Sequence, residues 1–248
     1  MAKVILVTGG SRGIGAACCR LAAANGYDVA VNYAGNAAAA AEVAADVRAA
    51  GQRAIELMGD IGDDATIGSL FDQTEAELGP VTAFVSNAGV INVAAPLADI
   101  PVEEIRRIID IDLTAHVICN REAVRRMALS RGGKGGAIVN ISSKASTLFG
   151  AGGFIPYGAA KGGVDVLTQG LGREVAADGI RINALRPGLI DTDIHDDSGE
   201  LGRVAKLGPS VPIGRAGTAM EVAEAVIWLL SDQARYVTGT LFDVSGGR

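Results

Sequence analysis

Short apolar runs alternate along the chain with longer stretches in which apolar positions recur every three or four residues. Val4–Val7, Asp28–Asn32, Arg53–Met58, Val81–Ser86, Ala137–Ile141, Arg181–Leu185 and Leu241–Val244 read as strands. Several are almost purely apolar, as strands covered on both faces should be. Between them, Ile14–Asn25, Ala37–Ala50, Asp64–Leu78, Val102–Ser130, Tyr157–Asp178 and Thr218–Ser231 carry the helical period. Seven strands alternating with six helices predict an α/β fold. The expected form is a doubly wound, seven-stranded parallel sheet with helices on both faces, built as one domain over residues 1–248. Two segments break the pattern. Arg131–Gly136 is short and glycine-rich. Ile190–Val211 is polar, holds Gly199, Gly202, Gly208 and Pro209, and is long for a plain connection. It is expected to be a mobile lid, at about residues 190–211.

Composition narrows the function. Apolar residues make up 49% of the chain and aromatic residues only 4%, so aliphatic side chains and Ala must fill the interior. The 34 glycines have no three-residue period, which excludes a collagen-like chain. The net charge is −6, and no basic run exceeds two residues, so no nucleic-acid partner is expected. Cys18, Cys19 and Cys119 have neither disulfide nor metal spacing. They read as reduced, buried thiols of a cytoplasmic protein, with no metal site. No run of 18 apolar residues occurs, so no membrane span is expected.

A glycine-rich loop, Thr8-Gly9-Gly10-Ser11-Arg12-Gly13-Ile14-Gly15, follows the first strand and opens the first helix. Glycines there allow a tight turn and close backbone approach to a phosphate. The helix N-terminus adds bare N–H groups and partial positive charge. This position points to a dinucleotide site. The second strand ends at Asn32-Tyr33-Ala34, and no acid stands between Val29 and Ala41. An acid there would hold a ribose 2′-hydroxyl and repel a 2′-phosphate. Its absence, with Arg12 in the loop as a cation, favours NADP(H) and also admits NAD(H).

Tyr157 and Lys161 are four positions apart in a helical stretch, which puts them on one face. A cation beside a phenol favours phenolate and is expected to bring the Tyr157 pKa toward neutrality. Ser143 follows the fifth strand, on the edge where open α/β sheets bind ligands. Its hydroxyl could hold a carbonyl oxygen while Tyr157 gives a proton. His195 lies in the lid, where Asp196, Asp197 and Glu200 weigh against a strongly anionic substrate. His116 falls mid-helix and reads as structural.

These motifs, in this order, resemble the short-chain dehydrogenases/reductases from about Val4 to Gly247. Thr8-Gly9-x-x-x-Gly13-Ile14-Gly15, with Ser11 and Arg12 inside it, is similar to the family's cofactor loop. Asn32 and Tyr33 end the strand that selects the cofactor. Asp60-Ile61 resembles the pair that contacts adenine, and Asn87-Ala88-Gly89 the motif after the fourth strand. Ser143, Tyr157 and Lys161 match the catalytic triad. Pro187-Gly188, with Ile190 and Thr192, resembles the nicotinamide-carboxamide site. The resemblance implies hydride transfer between a nicotinamide and a carbonyl or alcohol carbon. Tyr157 would act as general acid/base, Lys161 would hold the nicotinamide ribose, and Ser143 would orient the substrate oxygen. It also implies a homotetramer assembled through the two long central helices and the C-terminal strand.

Three positions depart from the pattern. Asp112 stands where the family commonly has an Asn that anchors a proton relay to the lysine. Asp adds a charge near Lys161, so a shifted pH optimum is expected. Ser86 stands where an Asn often precedes Asn87-Ala88-Gly89. Ser143 precedes Tyr157 by 14 positions, one more than in many members, with Ser142 as the alternative. Val31-Asn32-Tyr33 and the ending Phe242-Asp243-Val244-Ser245-Gly246-Gly247 resemble the 3-oxoacyl-carrier-protein reductases and related sugar or alcohol dehydrogenases. A 3-oxoacyl-type or similar small carbonyl is the expected substrate. The alternatives are a sugar (glucose-type) dehydrogenase and a nicotinamide-binding sensor without catalysis.

Overall fold

A computed structural model describes residues 3–199 and 202–248; the side chains of His195, Asp196 and Asp197, and all of Glu200, lie outside the described residues. In chain order the first half runs β1 (Lys3–Val7), α1 (Gly13–Ala24), β2 (Tyr27–Tyr33), α2 (Ala37–Ala49), β3 (Ala54–Met58), α3 (Asp64–Leu78) and β4 (Ala83–Ser86). The second half runs α4 (Val102–Ile109), α5 (Ala115–Met127), β5 (Gly136–Ile141), α6 (Ile155–Glu174), β6 (Ile180–Pro187), β7 (Ile190–Asp191), α7 (Arg203–Leu207), β8 (Gly217–Thr218), α8 (Ala219–Leu230) and β9 (Leu241–Val244).

The seven long strands form one sheet in the order β3-β2-β1-β4-β5-β6-β9, and every pairing is parallel. Strand alternation divides the core between two layers. On β1, Ile5 and Val7 face α1, α2 and α8, while Val4 and Leu6 face the layer holding α3 and α5. Both sets are buried, which is why the strand reads as an unbroken apolar run. Strand order reverses between β1 and β4. That switch point opens a cleft at the carboxyl ends of the strands.

Two features differ from the sequence expectation. Val102–Ser130 is not one uniform helix. A π-turn over Asp110–Thr114 joins α4 to α5, and a 3-10 turn over Leu129–Arg131 follows. The widened turn keeps right-handed backbone at both ends, so the hydrophobic period alone does not reveal it. The segment after Pro187 is also more regular than expected. It contains β7, paired with β8 in a two-stranded parallel sheet, a 3-10 stretch at Asp193–Ser198, and α7. Pieces this short carry no readable periodicity.

Candidate active site

The glycine loop is fixed by hydrogen bonds from three strands. The Thr8 hydroxyl accepts from the backbone N–H groups of Asn87 at 2.9 Å and Ala88 at 3.2 Å. The Asn87 amide donates back to the carbonyls of Thr8 at 2.9 Å and Gly9 at 3.2 Å. Asn32 Oδ1 accepts from the Gly9 N–H at 3.2 Å, and its Nδ2 donates to Gly59 O at 2.9 Å. Gly9 and Gly13 hold φ of +63° and +53°, which side chains disfavour. A Cβ on Gly15 would sit 2.1 Å from the Gly9 carbonyl oxygen. Glycine at that position lets the first turn of α1 press against the loop.

Helix α1 begins without a side-chain cap, at Arg12, and has no acid in its first turn. By contrast, Asn36, Asp63 and Thr218 cap α2, α3 and α8. The uncapped end borders a cavity of about 600 Å³ that runs along the carboxyl edge of the sheet. An uncapped helix N-terminus there is a seat for an anion.

At the other end of the cavity, β5 delivers two serines with different fates. Ser142 is buried, and its hydroxyl donates to Lys161 O at 3.1 Å. Ser143 faces the cavity, caps a short turn through Ala145 N at 3.1 Å, and hydrogen-bonds the Tyr157 side chain. Tyr157 and Lys161 come from the first turns of α6, with the ammonium 5.7 Å from the phenol ring centroid. Lys161 Nζ donates to Ile141 O at 3.1 Å and lies 3.1 Å from Asp112 Oδ1. The π-turn carries Asp112 inward until it is fully buried, and Val90 N–H donates to its other oxygen at 3.2 Å. Gly89 makes room for it, since a Cβ there would sit 2.6 Å from Asp112 Oδ1.

Burial and the charge pair together set the protonation states. Burial alone would lower the Lys161 pKa, but Asp112 and Tyr157 outweigh it and hold the ammonium above its usual value. Burial pushes the Asp112 carboxyl up, against the pull of Lys161. Tyr157 corrects the sequence expectation. Burial raises the phenol, Asp112 adds to the rise, and Lys161 and the Ser143 hydrogen bond only partly offset them. The phenol therefore keeps its proton at neutral pH. His116 is buried with its ring between Ser86 Oγ at 2.9 Å and Ala88 O at 3.0 Å, and burial holds it neutral, well below its usual pKa.

The sequence model of the family described as enoyl-(acyl carrier protein) reductase matches residues 9–248. An uncharacterised oxidoreductase of Escherichia coli is 47% identical over 245 residues, covering 99% of this chain and 99% of its own length. A short-chain dehydrogenase/reductase mutant from Serratia marcescens superposes with a TM-score of 0.90 at 32% identity, covering 100% of this chain and 98% of that one. The chain belongs to the short-chain dehydrogenase/reductase family. As a member of the short-chain dehydrogenases/reductases, it is an oxidoreductase acting on CH–OH and C=O groups with NAD(P). A blue fluorescent protein from a metagenomic library, solved in complex with NADPH, superposes with a TM-score of 0.88 at 35% identity, covering 99% of this chain and 97% of that one.

The residues present fit the dinucleotide that short-chain dehydrogenases/reductases use, because the uncapped α1 terminus and the glycine loop leave a cradle that side chains would fill. Gly9, Ser11, Arg12, Gly13, Ile14, Asn32, Tyr33, Asp60, Ile61, Asn87, Ala88, Gly89, Pro187, Gly188, Ile190 and Thr192 all line the cavity, as do Asp112, Ser143, Tyr157 and Lys161. Gly15 does not line it and acts through packing instead. Asn32 borders the cavity, but its side-chain atoms are committed to the scaffold. Sequence reasoning missed Phe154 and Arg203, which also line the cavity. Neither belongs to a motif, and only the fold brings them together. Among the described residues, no cluster of three His, Cys, Asp or Glu could hold a metal.

Proposed function

We propose that this chain is an NADP(H)-dependent reductase of small carbonyl compounds of the 3-oxoacyl type or similar, with Tyr157 as general acid. The observation that carries this reading is convergence: Ser143, Tyr157 and Lys161 meet on the cavity that also receives the uncapped N-terminus of α1. When bound, the nicotinamide supplies the hydride. Ser143 orients the substrate oxygen by hydrogen bonding. Tyr157, held protonated by its burial, donates a proton to that oxygen. Lys161, anchored by Asp112 and Ile141 O, places a positive charge beside the phenolate that forms. Pro187, Gly188, Ile190 and Thr192 bound the nicotinamide end, and Asp60 and Ile61 the adenine end.

NADP(H) is favoured because β2 ends without an acid and exposed Arg12 lines the same cavity. The NADPH-bound neighbour supports the same choice. The free, buried Cys18, Cys19 and Cys119 support a reducing cytoplasm. Exposed Val117 on α5 and Val166 on α6 support assembly of a homotetramer through those helices.

The test is NADPH oxidation across a carbonyl panel. Tyr157→Phe should lower kcat by about 10²–10⁴ while NADPH still binds. Tight NADPH binding without turnover on any carbonyl or alcohol would leave a sensor, and full activity in Tyr157→Phe would remove the tyrosine from the mechanism.

A further inference from the structure

His116 is fully buried and titratable, and the hydride and proton transfers described above do not use it. It sits behind the Ala88-Gly89-Val90 turn, which follows β4 and lines the cavity. The Ala88 N–H donates to the Thr8 hydroxyl at 3.2 Å, and the Ala88 carbonyl is 3.0 Å from His116 Nε2. Two residues on, the Val90 N–H donates to Asp112 at 3.2 Å. Asp112 and His116 are four positions apart on one continuous helical run, where the π-turn passes into α5. That spacing puts them on one face. The same face therefore holds the turn at two points, one a carbonyl and the other an N–H.

The proton on the ring follows from its partners. A carbonyl oxygen only accepts, so Nε2 carries the proton and donates to Ala88 O. Burial, with the Lys161 charge adding to it, keeps the ring neutral, so Nδ1 is bare and accepts from the Ser86 hydroxyl at 2.9 Å. Ser86, the last residue of β4, thereby selects the tautomer that can hold Ala88. Gly89 completes the fit, since a Cβ there would sit 2.6 Å from Asp112 Oδ1 and 3.4 Å from Lys161 Nζ. The turn is pressed between the helix face and the ion pair beside Tyr157. Tyr157 and Asp165 on α6 and Arg107 on α4 are the other charged or titratable groups acting on that pair. Burial raises the Asp112 carboxyl, and Lys161 and the Val90 N–H pull it back. Burial raises Tyr157 too, and the Asp112 charge adds to the rise after the offset from Lys161. Freeing the Ala88 carbonyl lets the Val90 N–H move off Asp112. The carboxylate then loses a donor and its alignment with Lys161, its field weakens, and the Tyr157 pKa falls.

We propose that His116 is a positioning residue of the active site: with Asp112 it grips the Ala88-Gly89-Val90 backbone at two points, which holds the cavity-lining turn in place for the cofactor and keeps Asp112 against Lys161. The assignment rests on the reductase reading given above, and it adds to that reading a residue outside the Ser143, Tyr157 and Lys161 group. It also gives the Ser86 departure a task, as the partner that fixes the His116 ring.

The experiment uses the full chain and has three arms. The chain has two histidines, so ring-nitrogen NMR on His195→Gln protein reports His116 alone. The ring should be the Nε2–H tautomer and should not titrate between weakly alkaline and weakly acidic pH. An Nδ1–H tautomer, or titration near the ordinary histidine pKa, overturns the proposal. The second arm compares His116→Gln, whose amide can still donate to Ala88 O, with His116→Met, which has similar length and no donor. Followed by nicotinamide fluorescence, NADPH should bind His116→Met about fivefold more weakly than the parent, and His116→Gln within about twofold of it. Equal affinities in the two variants overturn the proposal, because packing alone would treat them alike. The third arm is the pH profile of kcat for carbonyl reduction by NADPH. The alkaline limb should move down by about half a pH unit in His116→Met, stay in place in His116→Gln, and move no further when His116→Met is added to Asp112→Asn. An unmoved limb in His116→Met, or a full further shift on the Asp112→Asn background, overturns the proposal. If no carbonyl is reduced, the reductase reading fails, while the NADPH contrast still decides the grip. If His116→Met does not fold, His116→Gln decides alone: parent affinity supports the grip, and a loss overturns it.

Discussion

The two ends of the cavity are built from different materials. The phosphate end is backbone and neutral side chains, with Arg12 as its one assigned charge. Thr8, Asn32 and Asn87 lock the loop through their hydrogen bonds, and glycines at 9, 13 and 15 leave the space. The reaction end is a balance of charges. Asp112 and Lys161 are buried together; both act on Tyr157, and Lys161 also acts on His116. The first end is governed by sterics, so adding one carbon should harm it. The second is governed by electrostatics, so a change of charge at constant shape should alter its chemistry and leave the fold intact.

Gly15→Ala gives the largest contrast. The new Cβ meets Gly9 O, a backbone atom, at 2.1 Å and the Asn87 side-chain amide at 2.7 Å, which is held by its hydrogen bonds to Thr8 O and Gly9 O. The glycine loop must shift. NADPH affinity should fall roughly a hundredfold, the loss of about two charge-assisted hydrogen bonds to the cofactor at about 1.5 kcal/mol each. Tyr157→Phe should change that affinity by less than a few-fold. A titration of both variants by nicotinamide fluorescence checks the pair. Unchanged affinity in Gly15→Ala would mean that the loop is softer than its hydrogen bonds indicate.

Arg12→Gln probes the one charge assigned to the phosphate end. Arg12 is exposed and lines the cavity at the start of α1. A charge-assisted contact to a 2′-phosphate at such a site is worth about 1.5 kcal/mol, or about tenfold. NADPH affinity should fall by that factor, and NADH affinity should not change. Equal losses for both cofactors would assign Arg12 to the pyrophosphate or to the loop's own stability.

The difference between the two ends also explains what was legible in the sequence. Glycines at 9, 13 and 15 after an apolar strand are local signals, and the phosphate end lies within a short stretch of chain. The parallel sheet was readable for the same reason, because each strand is a local apolar run. The balance of charges was not. Tyr157 and Lys161 share a helix, and their spacing predicts a lowered phenol pKa. The structure reverses that prediction by burying the phenol and bringing Asp112 in from a different helix through a π-turn. Asn32 was located at the cavity, but its commitment to Gly9, Leu57 and Gly59 depends on strand pairing. Arg203 and Phe154 are far apart in the chain and meet only in the folded structure.

Asp112→Asn is the smallest change and the most selective for the reaction end. It conserves shape, and the Asn side chain can still accept from Val90 N–H, as Asp112 does at 3.2 Å. What it removes is one negative charge 3.1 Å from the Lys161 ammonium. That charge raises both Lys161 and Tyr157, so both pKa values should fall when it is gone. Reduction needs the protonated phenol, so its alkaline limb should move to lower pH. Oxidation needs the phenolate, so its acid limb should move the same way. The shift should be up to about one pH unit, since part of the field is shared with burial and with the Ser143 hydrogen bond. Profiles of kcat against pH in both directions check it. A uniform loss of activity with unmoved limbs would make Asp112 a packing residue. A parallel downward movement of both limbs would show that the carboxylate sets the working pH of the tyrosine.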